Sequence, residues 1–177
     1  ATPEQVERAI VSARKAAHGW DRLGGAARAA LLDKAADAME RDRPRLMGVM
    51  IREAGKTLDA ALSEVREATD FLRYYSNEAR RQFAGPVALP GPTGERNTLA
   101  LRGRGVFGCI SPWNFPLAIL AGMTTAALVA GNTVVIKPSS DTPTIAAKFV
   151  EVLLEAGFPP DSFAFLPGSG AAVGDTL

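Results

Sequence analysis

The stretch Ile110-Ser111-Pro112-Trp113-Asn114-Phe115-Pro116-Leu117 carries the residue best suited to chemistry, an asparagine set between two aromatics and two prolines. A carboxamide presented so rigidly can donate to an oxygen that gains charge during a reaction, typically worth ~3 kcal/mol in the transition state. The ordinary alternative is a turn in which Asn114 bonds its own backbone while Trp113 and Phe115 anchor in a core. A second stretch, Gly131 to Ser140, puts Lys137 at the end of the β-branched run Thr133-Val134-Val135-Ile136. An ammonium at the carboxyl end of a parallel strand can bond sugar hydroxyls or a phosphate; a solvated strand-end lysine is its ordinary alternative. In the third, Pro167 to Gly174, the glycines 168, 170 and 174 are spaced G-x-G-x-x-x-G. That is one residue longer than the usual strand-to-helix turn of a dinucleotide-binding fold, and such glycines can also serve backbone geometry alone.

Other chemistries are excluded by residue supply. With one histidine, His18, and one cysteine, Cys109, neither a structural zinc site nor a Ser-His-Asp triad can be assembled. Cys109 stands in an apolar run before the Asn114 loop, with no base nearby, and reads as a buried strand residue rather than a nucleophile. A lone cysteine forms no intrachain disulfide, which fits a reducing, cytoplasmic setting. Basic residues are scattered among acids at a net charge of +1, which argues against a nucleic-acid partner. A composition of 47% hydrophobic and 22% charged residues predicts a soluble globular chain rather than a disordered one. The longest apolar stretch, Pro116 to Val129, is too short and too rich in Ala, Gly and Thr to span a bilayer. No charged segment followed by an apolar one opens the chain, so no secretory signal is expected.

The elements that must position these loops follow from periodicity. Apolar residues recur at helical spacing from Thr2 to Ala17, with Thr2 as N-cap and Gly19 as the stop. Further helices are predicted from Gly25 to Asp42, from Pro44 to Gly55, and from Thr57 to Gln82. Gly85, Pro86, Pro90, Gly91, Pro92 and Gly94 then forbid helix, and Thr98 to Arg102 is a candidate strand. Beyond Gly105 the pattern alternates: a strand at Val106 to Ile110, a small-residue helix at Leu117 to Val129 and a strand at Thr133 to Ile136. A helix at Thr142 to Ala156 and a strand at Phe163 to Leu166 complete it. Such alternation predicts βαβ units, hence an α/β fold with a parallel sheet covered on both faces. The expected organisation is a helical region over 1–82, an extended segment over 83–103, and the first part of a doubly wound, Rossmann-like domain over 104–177. Three strands are half of such a sheet, and Ala171 to Leu177 has no following element to pack against, so a piece of a longer polypeptide is expected.

The three loops, in this order and spacing, together with Arg52-Glu53-Ala54-Gly55-Lys56-Thr57, resemble the aldehyde dehydrogenase superfamily over nearly the whole chain. Leu89 to Glu95 and Glu64 to Tyr75 resemble its Δ1-pyrroline-5-carboxylate dehydrogenase branch, as in the bifunctional proline utilization A enzymes. Gly122 to Leu177 also resembles that branch's stand-alone members, so both architectures, with and without a fused proline dehydrogenase domain, stay open. The resemblance implies NAD as cofactor and Asn114 as the oxyanion-hole asparagine. Ile110, Ser111, Pro112, Trp113 and Asn114 would line the nicotinamide half of the cofactor, and Lys137 would bond the adenosine ribose. Ser139, Ser140, Gly170 and Gly174 would supply further adenosine and pyrophosphate contacts. Phe115 would flank the aliphatic chain of a glutamate semialdehyde, and Glu67 would meet its ammonium; the ordinary alternative for Glu67 is a surface acid paired with Arg66 or Arg73. The segment near Thr98 to Arg102 matches one used in subunit contact, which implies a homo-oligomer for the whole enzyme.

Two departures qualify the match. Many NAD-preferring members carry Glu where this chain has Ser140, and losing a carboxylate there removes repulsion of a 2′-phosphate, which predicts tolerance of NADP. The family's nucleophilic cysteine, its general-base glutamate and the catalytic domain have no counterpart in these residues, so the chain alone is expected to be inactive. Other substrates, such as succinate semialdehyde or betaine aldehyde, and a truncated nucleotide-binding module without chemistry are the competing readings.

Overall fold

The computed structural model describes residues 1–177. Helices α1 (Pro3–Arg22), α2 (Gly25–Arg41), α3 (Arg43–Ala54) and α4 (Leu58–Gln82) lead the chain. A hairpin of β1 (Val87–Leu89) and β2 (Asn97–Leu99) follows. Then β3 (Val106–Ile110), α5 (Ala118–Val129), β4 (Thr133–Lys137), α6 (Pro143–Glu155) and β5 (Phe163–Phe165) alternate, before a single π-helical turn at Gly170–Gly174.

Local chemistry sets most of these boundaries. Thr2 caps α1 through the Gln5 amide (3.4 Å), while Gln5 Oε1 accepts from the Thr2 amide (2.7 Å), a reciprocal capping box. Gly55, at φ 65°, ends α3 in the left-handed conformation that glycine takes without strain. Thr57 then caps α4 by accepting from the Ala60 amide at 3.2 Å. Gly19 does not stop α1 as the sequence predicts; the helix runs through it to Arg22. A helical glycine costs about 1 kcal/mol relative to alanine, and Trp20 offsets that cost by burying its ring and donating from Nε1 to the Leu128 carbonyl at 2.8 Å. The expected strand at Thr98 to Arg102 is instead Asn97–Leu99, paired antiparallel with Val87–Leu89 inside the Gly/Pro-rich segment.

The main core lies between α2, α4, α5, α6 and one face of the sheet. Leu32, Ala35, Ala36 and Met39 of α2 meet Ala61, Val65, Ala68 and Leu72 of α4, all fully buried, and the alanines let the two helices approach closely. The sheet has the order β3-β4-β5, parallel throughout, with Ile110 opposite Lys137 and Ile136 opposite Phe165. Every residue of β4 is buried. Val134 and Ile136 face the main core, whereas Val135 packs on the other face with Val6 of α1, Leu166 and Val173. Thr133 joins that second face by donating from Oγ1 to the Ala13 carbonyl at 2.9 Å. At β4 the sheet is thus covered on both sides, with α1 taking the face that α5 and α6 leave, whereas most of β3 is exposed. The terminal turn finds its packing partner behind it, since Val173 is fully buried against that α1 face.

Candidate functional site

The three loops predicted to carry chemistry follow β3, β4 and β5, so they share the carboxyl rim of the parallel sheet, where ligands bind in folds of this kind. The Ser111 amide donates to the Lys137 carbonyl at 3.1 Å, tying the first loop to the second. Lys137 is only 5% exposed, which corrects the picture of a solvated strand end. Its Nζ donates to the Pro138 carbonyl at 3.0 Å, so one of three ammonium donors is satisfied within the chain. Ser111 is equally buried and its Oγ has no partner. A methyl group added at Gly174 would lie 3.7 Å from Lys137 Cε, which places the terminal glycine turn beside the lysine stem. One added at Gly108 would meet nothing within 4 Å, so the sheet surface flanking Lys137 is open. Buried donors with spare capacity beside an open surface suit a ligand rich in hydroxyl or phosphate oxygens. Ser139, Ser140 and Gly170 stand on the same rim without bonding to this group. Ser139 Oγ accepts from the Asp141 amide at 3.2 Å, and Ser140 and Gly170 are exposed.

The Asn114 side chain is exposed and makes no hydrogen bond to its own loop, and its neighbours Pro112, Trp113 and Phe115 are exposed with it. Neither a self-bonded turn nor a pair of core anchors describes this segment. Its support comes from elsewhere. Helix α5 has no side-chain cap of its own, and its first amides are met by Glu64 of α4. Glu64 Oε1 accepts from the amides of Leu117 (2.7 Å) and Ala118 (3.1 Å), and Oε2 faces Lys56 Nζ at 2.5 Å. The Glu64 carboxylate is wholly buried and Lys56 nearly so, and Lys56 Nζ sits 4.5 Å from the centre of the Phe115 ring. Helix α6 repeats the device, with Glu53 of α3 accepting from the Thr144 (2.6 Å) and Ile145 (2.8 Å) amides. Both acids flank the α3–α4 junction, so one corner of the helical region holds the starts of the two helices that follow the β3 and β4 loops.

Sequence reasoning singled out Glu67, one helical turn beyond Glu64, and missed Glu64. Glu67 is exposed and lines an open groove of about 550 Å³ with Arg66, Asp70, Phe71 and Tyr74. Arg73 pairs with Asp33 and Asp37, not with Glu67. The signal that could have found Glu64 is the opening of α5, Pro116-Leu117-Ala118, which has no Ser, Thr, Asp or Asn before it. The orphan amides of a buried helix start must find an acceptor elsewhere. Cys109 is 3% exposed in β3, as expected of a buried strand residue, and burial pushes its thiol up to about 11.

A parallel sheet with loops of this kind on its carboxyl rim and a helical lead-in behind it matches a known family: the model of the aldehyde dehydrogenase family covers residues 1–177, and the chain belongs to that family. Among its relatives, the bifunctional protein PutA of Escherichia coli (strain K12) is 47% identical over 178 residues, covering 100% of this chain and 12% of that protein. The 1-pyrroline-5-carboxylate dehydrogenase of Geobacillus kaustophilus (strain HTA426) is 44% identical over 100% of this chain and 34% of its own length. The crystal structure of 1-pyrroline-5-carboxylate dehydrogenase from Thermus with bound NAD superposes with a TM-score of 0.96 at 38% identity, covering 100% of this chain and 34% of that one.

Proposed function

We propose that the full-length protein carrying this chain oxidises L-glutamate γ-semialdehyde to L-glutamate with NAD, as a step of proline catabolism in the cytoplasm. The observation that carries the reading is the exposed, unbonded Asn114 amide on the same rim as the buried donors Ser111 and Lys137. Relatives named for 1-pyrroline-5-carboxylate dehydrogenation, one of them with bound NAD, support the substrate and the cofactor.

In this reading Lys137 gives its spare ammonium donors to the adenosine ribose, and the open surface beside Gly174 and Gly170 receives the pyrophosphate. Ile110 to Trp113 line the nicotinamide half, and Phe115 flanks the aliphatic chain of the substrate. Glu67, free of an arginine partner, meets the substrate ammonium across the α4 groove. When bound, the nicotinamide accepts the hydride that leaves the aldehyde carbon, while water supplies the incoming oxygen. Asn114 donates to the aldehyde oxygen as it gains negative charge, and the rigidity of its loop means that no reorganisation is needed at that moment. The covalent nucleophile and general base would come from the remainder of the polypeptide. The exposed β1–β2 hairpin would form a subunit contact in the whole enzyme, which would stand alone or be joined to a proline dehydrogenase domain.

Ser140, where a carboxylate would repel a 2′-phosphate, leads us to expect reduction of NADP as well as NAD. Initial rates of full-length protein with L-glutamate γ-semialdehyde and each cofactor test both points. Reduced cofactor should form with both; strict NAD use would remove the Ser140 argument, and no turnover with either would overturn the proposed function.

A further inference from the structure

We infer that Glu64, held by Lys56, is a positioning residue for the Asn114 amide. The inference rests on the proposed function. Asn114 has no hydrogen bond of its own, so its place in space is set by what fixes its loop on either side. On the N-terminal side the Ser111 amide is bonded to the Lys137 carbonyl. On the C-terminal side the only side-chain restraint on the backbone is Glu64, through the amides of Leu117 and Ala118. Between Asn114 and Leu117 lie only Phe115 and Pro116, and the proline fixes one of the few free dihedrals. Lys56 adds a second restraint on the same side, because its ammonium rests on the face of Phe115, the residue next to Asn114.

The energetic character of the pair points the same way. A buried ion pair gains little stability over apolar residues of similar size, because both charges must leave water. An apolar residue at position 64, however, would leave two buried amides unmet and the loop free to shift. A catalytic donor has to sit within about half an ångström of its productive position, and a displacement near 1 Å can cost about 100-fold in rate. Glu64 touches neither substrate nor cofactor in this arrangement; its effect passes through the backbone of the loop.

The test is a double-mutant cycle in the full-length protein. Glu64→Ala is expected to lower kcat by about 100-fold while KM for NAD changes less than about threefold, because the transition state loses a donor that the ground state does not use. Glu64→Gln keeps an oxygen for the two amides and is expected to recover most of that loss. In an Asn114→Ala background, Glu64→Ala should lower kcat by less than about threefold further, since both changes remove the same interaction. Losses that multiply in the double variant, or a matching loss of NAD affinity, would show Glu64 to be merely structural and would overturn the inference. Should Glu64→Ala fail to fold, Glu64→Asp, which retracts the acceptor by one methylene, carries the same cycle. Its kcat should fall by about tenfold with Asn114 present and remain unchanged without it; an unaltered kcat in the Asn114 protein overturns the inference. An active wild type with Glu64→Ala at full rate overturns this inference alone, whereas a wild type inactive on every aldehyde overturns the proposed function along with it.

Discussion

Cys109 shows how burial assigns a role to a residue whose type alone would allow several. It lies in β3 beside Ile136 at 3% exposure, and burial, only partly offset by the Thr124 hydroxyl, raises its thiol from 9.0 to about 11. The thiol therefore stays almost wholly protonated at neutral pH and offers little thiolate for nucleophilic attack. Because the folded value lies above the unfolded one, its contribution to stability is complete below pH 9.0 and is lost as pH rises through about 11. Iodoacetamide at about pH 8 should label native protein at least ~100-fold more slowly than urea-unfolded protein; equal rates would contradict this burial. Other residues were legible to different degrees. Asn114 and Lys137 stand in loops whose prolines and strand runs mark them in the sequence, so their place on the sheet rim could be foreseen. That Lys137 is buried could not, because part of its cover is the terminal turn at Gly174, which lies beyond the next helix and strand. The uncapped start of α5 signals that a distant acceptor is needed but does not point to Glu64 or Lys56, because the two amides lie more than 50 residues from Glu64.

At the scale of elements, the helical lead-in acts as a set of remote caps. Glu53 and Glu64 close the N-terminal ends of α6 and α5, while Arg28 and Trp20 close the other end of α5. Arg28 is buried and donates from Nε to the Val129 carbonyl (2.8 Å) and from Nη1 to the Asp21 carbonyl (2.7 Å) at the end of α1. The turn at Gly131 fits against this arginine: φ is 94° there, and a methyl group would stand 2.4 Å from Asp21 Oδ1. Periodicity located most elements within a few residues, because each buries one stripe or one face. It missed β1, a short exposed strand with no buried face to impose a pattern, and it ended α1 early because the anchor beyond Gly19 is tertiary.

Helices α2 and α4 are joined at their polar edge by Asp33, which accepts from Ser76 Oγ at 2.6 Å and from Arg80, with Arg73 close by. Burial alone would raise the Asp33 carboxyl, but the bonds from Ser76 and Arg80 and the two arginine charges together hold it below 3.8. A depressed carboxyl stabilises the fold above its unfolded value and ceases to do so as pH falls. Asp33→Asn should therefore cost about 1 kcal/mol at neutral pH, discounted for the partial exposure of the pair. In urea unfolding the difference from wild type should shrink as pH drops below 3.8. A difference independent of pH would assign the effect to packing.

For the molecule as a whole, the sheet is covered on both faces at β4 but largely exposed along β3, where Phe107 and Ile110 stand beside the Asn114 loop. The chain spans 12% of the E. coli relative and 34% of the G. kaustophilus one. On the proposed reading it supplies the oxyanion donor and part of the cofactor site and leaves the nucleophile to the rest of the polypeptide, so the purified 177 residues should show no aldehyde oxidation. Saturable NAD reduction by this chain alone would refute that division of labour. The central claim, a glutamate semialdehyde enzyme, is tested most directly by comparing kcat/KM of the full-length protein for L-glutamate γ-semialdehyde, succinate semialdehyde and betaine aldehyde. A site that meets the substrate ammonium with a carboxylate should favour L-glutamate γ-semialdehyde over succinate semialdehyde by at least about 100-fold, and betaine aldehyde should be no better. Equal or greater kcat/KM for either competitor would contradict the account.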